Sequence, residues 1–252
     1  MFSFRDKVVW VTGSSTGIGR AIALEFAEHG ANVVVHGNSN PAEAEVTLKE
    51  VQDKGAKAIL VLGDVTDRNQ VDRMVAEIKE TFNRIDILIN NAGTMVKRAR
   101  IEELDHETLN KIMNINFTSV FHVTQAVLPL MKQQEKGSII NMTSIAARNG
   151  GGGGAVAYAA AKAAVSTFTR GLAKELVHDH IRVNGIAPGI ITTPFHDRYS
   201  TPELRKGMAG QVPMGREGSP KEIAGTALYL ASDYASYITG EIIEVNGGLL
   251  MD

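Results

Sequence analysis

The chain has 252 residues, 44% of them hydrophobic and 21% charged, which suits a globular protein with a core of normal size. Lys plus Arg number 26 and Asp plus Glu 28, so the formal charge of -2 gives no basic footprint for nucleic acid. The absence of cysteine excludes a disulfide framework, a thiolate nucleophile and a cysteine metal site, and no apolar run is long enough to span a membrane. A cytoplasmic location is expected, because the chain runs from Met1 straight into a strand-like segment without a signal-peptide pattern.

The first strand is expected at Lys7–Thr12. It leads into Gly13-Ser14-Ser15-Thr16-Gly17-Ile18-Gly19, which opens a helix over Gly17–His29. Glycines at this place let the backbone turn tightly and approach a pyrophosphate, and the helix N-terminus adds free N–H groups and partial positive charge. The second strand, Asn32–His36, is followed by Gly37-Asn38-Ser39-Asn40 and a helix over Ala42–Lys54. An acid at the end of this strand would bind a ribose 2′-hydroxyl and select NAD. None stands there. Gly37 leaves room for a 2′-phosphate and His36, Asn38 or Ser39 offer donors, so NADP(H) is favoured over NAD(H), although no Arg or Lys clamps the phosphate.

Strands are next expected at Ala58–Leu62, Ile85–Asn90, Ser138–Met142, Ile181–Ala187 and Glu241–Val245. Helices are expected at Arg68–Phe82, Asp105–Lys132, Tyr158–Val177 and Pro220–Ala231. Strands apolar on both faces, alternating with helices, predict a doubly wound parallel sheet covered on both sides. We read residues 1–252 as a single domain. The glycine run Gly150–Gly154 reads as an active-site loop, and the stretch of about 192–219, which carries Pro194, Pro202 and Pro213, reads as a substrate lid.

Tyr158 and Lys162 lie four residues apart in an Ala-rich helical run, hence on one helix face. A cation beside a phenol favours the phenolate and moves its pKa toward the range of a working acid-base.

In this order and spacing the motifs resemble the short-chain dehydrogenase/reductase family. The resemblance rests on Thr12–Gly19, Gly63-Asp64-Val65, Asn90-Asn91-Ala92-Gly93, Asn116, Ser144, Tyr158-x-x-x-Lys162, Pro188-Gly189-x-Ile191-x-Thr193 and Gly247-Gly248, and covers almost the whole chain. It implies a Rossmann-like seven-stranded sheet, a nicotinamide cofactor, and hydride transfer between an alcohol and a ketone. It also implies that Asp64 and Val65 meet the adenine, while Asn91, Ala92, Gly93, Pro188 and Gly189 line the cofactor. Ile191 and Thr193 would fix the carboxamide. Asn116 would hold a relay water, Ser144 would bond the substrate oxygen, Tyr158 would pass the proton, and Lys162 would lower the phenol pKa and bond the ribose. Asn114 and Thr143 are the alternatives for Asn116 and Ser144. A homotetramer is also implied.

For the substrate the chain resembles a subgroup acting on uronate-derived keto acids, through Gly150–Gly154, Thr193-Pro194-Phe195-His196, Pro213-Met214-Gly215-Arg216 and Val96-Lys97-Arg98. An acidic sugar would want cations, and Arg98, Arg148 and His196 are the candidates, with Lys97, Arg100 and Arg198 nearby. 3-Oxoacyl-carrier-protein reductase and glucose-dehydrogenase readings are the alternatives, with a nucleotide-binding regulator further off. Asp179, in His178-Asp179-His180, weakens the carrier-protein reading.

Overall fold

The computed structural model describes residues 2–251. Seven parallel strands stand in the order β3-β2-β1-β4-β5-β6-β7. They are β1 (Val8–Val11), β2 (Asn32–Gly37), β3 (Ala58–Leu62), β4 (Ile87–Asn90), β5 (Gly137–Met142), β6 (Ile181–Pro188) and β7 (Ile242–Val245). Pairing is in parallel throughout, for example Val9 with Val33 on one side and with Ile87 on the other. The expected strands are all present, with ends displaced by at most two residues, as strand ends commonly are.

Alternation along each strand divides the core into two layers. Val9 and Val11 of β1 pack under α1 (Gly17–Glu28), α2 (Pro41–Asp53) and α10 (Pro220–Ala231). Val8 and Trp10 face the other way, toward α3 (Arg68–Phe82), α5 (Ser119–Gln133) and α7 (Val156–Leu176). Local chemistry starts these helices. Asp67 accepts hydrogen bonds from the Asn69 and Gln70 amides at the start of α3, and Pro41 and Pro220 occupy first-turn positions of α2 and α10.

One expected element is divided. The helix read over Asp105–Lys132 is α4 (His106–Met113), a π turn over Asn114–Thr118, and then α5. A π turn inserts an extra residue into the helical ladder and rotates the following side chains, a feature common at functional sites. Here it turns Asn116 inward, where it is fully buried.

The proline-bearing stretch also has structure of its own. It holds α8 (Pro194–Tyr199) and α9 (Pro202–Ala209), both opening on the proline that suits a first helical position. Arg205 on α9 bonds Glu217 and Asp197, and Thr192 bonds Glu217, so both helices are fastened to the returning chain. The remaining helix, α6 (Ala146–Asn149), follows β5 and ends at Gly150.

Candidate active site

The chain runs outward from β1 to β3 on one side of the sheet and from β4 to β7 on the other. The carboxyl ends of β1 and β4 therefore diverge, and the loops leaving them border a cleft of about 1270 Å³. Such a switch point is where open α/β sheets bind ligands. The cleft exceeds an ordinary small-molecule pocket, which is at most about 1,000 Å³, and so has space for a dinucleotide with a second ligand.

At one end the glycine loop is pinned from beneath. The His36 Nδ1 accepts from the Gly13 amide at 2.8 Å, and its Nε2 lies 3.0 Å from the Gly63 carbonyl, to which it donates. Asn91 donates from its side-chain amide to the Thr12 and Gly13 carbonyls at 2.9 and 3.0 Å. The first-turn amides of α1 are left available, because Thr16 makes no side-chain cap and the first turn carries no acid. An orphaned, electropositive helix end on a locked loop fits a pyrophosphate. Gly19 is essential to that geometry, since a Cβ there would stand 2.4 Å from the Gly13 carbonyl oxygen and 2.5 Å from the Asn91 amide nitrogen.

Most of the residues expected around a cofactor line this cleft: Gly13, Ser15, Thr16, Gly17, Ile18, Gly37, Asn38, Ser39, Val65, the Asn91–Gly93 turn, Pro188, Gly189, Ile191 and Thr193. Gly19 lies just beneath, and Asp64 stands outside the lining with one carboxylate oxygen bonded to the Thr66 amide and hydroxyl. His36 does not serve as a phosphate donor. It is 2% exposed and both ring nitrogens are committed to main chain. Gly37 also has a packing reason that the sequence did not disclose, for a Cβ there would lie 2.7 Å from the Ala44 Cβ.

Burial holds the His36 imidazole down at about 4, opposed by its bond to Gly63 and by the Asp64 charge. A group whose folded pKa lies below its unfolded value, here 6.5, contributes stability above pH 6.5 that is lost as pH falls through 4. We expect urea titrations to show about 3 kcal/mol of the acid-side loss missing in His36→Gln. Equal slopes in both proteins between those pH values would refute this role.

At the other end of the cleft, α7 places Tyr158 and Lys162 beneath Ser144, which stands just past β5. The Lys162 ammonium is 5.9 Å from the Tyr158 ring centroid and donates to the Met142 carbonyl at 2.8 Å. The Ser144 hydroxyl lies near enough to the phenol to favour its ionised form. Burial pushes the phenol up to about 12, with Ser144 pulling the other way, and burial brings Lys162 down to about 8. The expected lowering of the phenol pKa by Lys162 is therefore not the dominant effect in the protein by itself. Desolvation outweighs it, and the neutral phenol is the form held at pH 7.

Asn116 reaches the same corner through the π turn. Its side-chain amide donates to the Thr94 and Ile112 carbonyls at 2.7 and 2.8 Å, and its oxygen accepts from the Thr94 amide at 3.1 Å. Gly93 makes room for this: a Cβ there would lie 2.7 Å from the Asn116 oxygen and 3.1 Å from the Lys162 nitrogen. Of the alternatives, Asn114 bonds Thr118 at the surface, and Thr143 is turned to the Ile186 carbonyl.

With this geometry, comparison with known proteins is decisive. A family model described as enoyl-(acyl carrier protein) reductase matches residues 13–250. A 3-oxoacyl-(acyl-carrier-protein) reductase FabG of Thermotoga maritima is 39% identical over 97% of this chain and 98% of its own. The chain belongs to the short-chain dehydrogenase/reductase family. This short-chain dehydrogenase/reductase is an NAD(P)-dependent oxidoreductase of the alcohol–carbonyl class. Among solved structures it is similar to a levodione reductase, with a TM-score of 0.92 at 33% identity over 97% of this chain and 98% of that one. It is similar also to an NADH-dependent reductase responsible for alginate metabolism, with a TM-score of 0.91 at 34% identity over 99% of both chains.

The cations expected to receive an acidic substrate are placed unequally. Arg148 is turned to Glu244 at 3.3 Å and stands outside the cleft lining. Arg98 lines the cleft, but donates to the main-chain carbonyls of Gly153 and Tyr199 at 2.6 and 3.2 Å. His196 lines it too, and burial lowers its pKa from the ordinary value, which favours the neutral ring at pH 7. Arg198 adds a guanidinium on the exposed side of α8. The apolar wall opposite comes from Met95, Val96, Ile145, Phe195 and Met208, with the Phe195 ring 5.8 Å from that of Tyr158. Sequence reading missed this wall, because its members come from four separate segments.

Proposed function

We propose that the protein reduces a compact carbonyl compound, with one apolar face and a polar or anionic edge, at Ser144 and Tyr158. The observation that carries this reading is the convergence of Ser144, Lys162 and a neutral, half-buried Tyr158 at the far end of a cleft whose near end suits a pyrophosphate. Gly13–Gly19, Asn91–Gly93 and Lys162 would hold a nicotinamide dinucleotide, with Ile191 and Thr193 beside its carboxamide. When bound, that group supplies the hydride.

The chain's own residues do the rest. The Ser144 and Tyr158 hydroxyls donate to the carbonyl oxygen and stabilise the charge that grows there. Tyr158 gives up its proton as general acid, and Lys162 restores it. Both Asn116 amide hydrogens are committed to carbonyls, so a relay water at this corner would be held by its oxygen or by the main chain of the π turn.

A keto acid derived from a sugar uronate fits the polar edge at His196 and Arg198, and the likeness to the alginate-metabolism reductase supports it. The FabG relatives support a 3-oxoacyl thioester as the second reading. A panel of keto uronates, cyclic diketones and acetoacetyl thioesters, assayed with both cofactors, tests them. Oxidation of neither cofactor with any carbonyl would overturn the reductase assignment.

Cofactor preference is proposed to lean to NADP(H) by less than about tenfold, because neutral donors at Asn38 and Ser39 lack the charge-assisted strength of an Arg clamp and Glu43 lines the same end. The aromatic cluster of Phe117 in the π turn, Phe121 on α5 and Phe168 on α7 supports a homotetramer, which sedimentation would test. No described helix is long and apolar enough to cross a membrane. A chain without cysteine suits a reducing, cytoplasmic setting.

A further inference from the structure

The segment from Thr94 to Ala99 joins three parts of the cleft that are distant in sequence. Its first residue is bonded in both directions to Asn116, through the Thr94 amide and carbonyl. The Thr94 hydroxyl is 2.6 Å from the Tyr199 phenol at the end of α8. Arg98 then donates from Nε to the Tyr199 carbonyl and from Nη1 to the Gly153 carbonyl, and the Ala99 amide donates to the Gly154 carbonyl at 3.0 Å. Gly154 admits this approach only without a side chain, since a Cβ would lie 2.8 Å from the Arg98 Cγ.

Between the two anchors the backbone is strained. Val96 has φ of 64°, and the Lys97 amide bonds the Met95 carbonyl at 2.7 Å across it. A left-handed β-branched residue inside a three-residue turn is a rare conformation, and it persists only when the surroundings enforce it. The enforcing contacts are those made by Thr94 and Arg98 on either side.

We propose that Thr94, Arg98 and Tyr199 form a latch that holds the lid closed over the carbonyl end of the cleft. Tyr199 is the lid's part of the latch, and its ring lies 5.1 Å from Phe195, which in turn stands against Tyr158. Engaging the latch thus sets the apolar wall against the catalytic phenol. Through Thr94 it is tied to Asn116, and through Arg98 to the glycine run. All three are positioning residues for the carbonyl substrate. Arg98 in particular has its Nε and an Nη1 hydrogen committed to the latch, which fixes where its guanidinium stands. The catalytic consequence rests on the carbonyl-reductase reading, whereas the mechanical one does not.

The test is a double-mutant cycle of Tyr199→Phe and Thr94→Val, with Thr94→Ser as the conservative control. Two quantities are measured: hydrogen exchange of the peptides covering residues 194–209, and steady-state constants with ethyl acetoacetate and NADPH. Loss of one hydrogen bond of about 1 kcal/mol corresponds to about a fivefold change. Each single variant should speed lid exchange and raise the carbonyl KM by about that factor, leaving the cofactor KM within about twofold. The double variant should be no worse than the worse single, and Thr94→Ser should behave as the parent. Unchanged lid exchange in both singles, or effects that multiply in the double, would overturn the latch. If the parent protein reduces no carbonyl at all, the reductase reading fails, and lid exchange still decides the latch.

Discussion

Tyr158→Phe lowers kcat for carbonyl reduction by about a hundred- to ten-thousandfold, the range expected for a positioned general acid. The change removes one oxygen and leaves the ring, so its contact with Phe195 and its place on α7 survive. Two functions go with that oxygen. The developing charge loses one of two donors, and the transferable proton disappears. The cofactor end of the cleft is untouched, because the glycine loop is held by His36 and Asn91 and not by Tyr158. The cofactor KM therefore stays within about twofold, a split that identifies an interaction made in the transition state. The check is cofactor oxidation under saturating substrate, with thermal melting to confirm the fold. Turnover within tenfold of the parent would remove Tyr158 from the role of acid.

Gly19→Ala is expected to weaken cofactor binding by about a hundredfold or more. The added methyl meets the Gly13 carbonyl oxygen at 2.4 Å, the Asn91 amide at 2.5 Å and the Ser14 Cα at 2.9 Å. Two of these atoms are backbone, so no flexible side chain can swing aside. The loop must shift, which breaks the Asn91 bonds to the Thr12 and Gly13 carbonyls and misplaces the pyrophosphate cradle. Two lost hydrogen bonds and the strain together amount to about 3 kcal/mol. Calorimetric titration with NADPH measures it. Gly225→Ala in α10 is the control, because a Cβ there meets nothing within 4 Å and a helical Gly→Ala is neutral or mildly stabilising. A cofactor Kd within about threefold of the parent in Gly19→Ala would contradict the argument.

The fold was legible because its signals are local. Val- and Ile-rich runs of strand length, glycine turns and proline helix starts each act over a few residues, and they correctly placed seven strands. The helix over Asp105–Lys132 was misread for the same reason. Nothing local marks the π turn at Asn114–Thr118, whose stability comes from Asn116 bonding Thr94, 22 residues away. His36 shows the opposite error. Its polarity suggested a phosphate donor, but burial between Gly13 and Gly63 makes it a structural brace.

What the amino-acid sequence determined by itself is which chemistry-bearing residues the chain carries and how they are spaced: the Tyr158–Lys162 pair, Ser144, Asn116 and the glycine loop, whose proposed roles rest on the family resemblance and on where the sheet brings them. Tertiary structure alone decided the electrostatics and the substrate end. Charge on Arg98, Arg148 and His196 was visible in the chain, but its availability was not, because availability depends on partners such as Gly153, Glu244 and the buried side of α8 that lie far away in sequence. The pKa of Tyr158 likewise follows from burial, a property of the packed molecule, and not from the lysine four residues on.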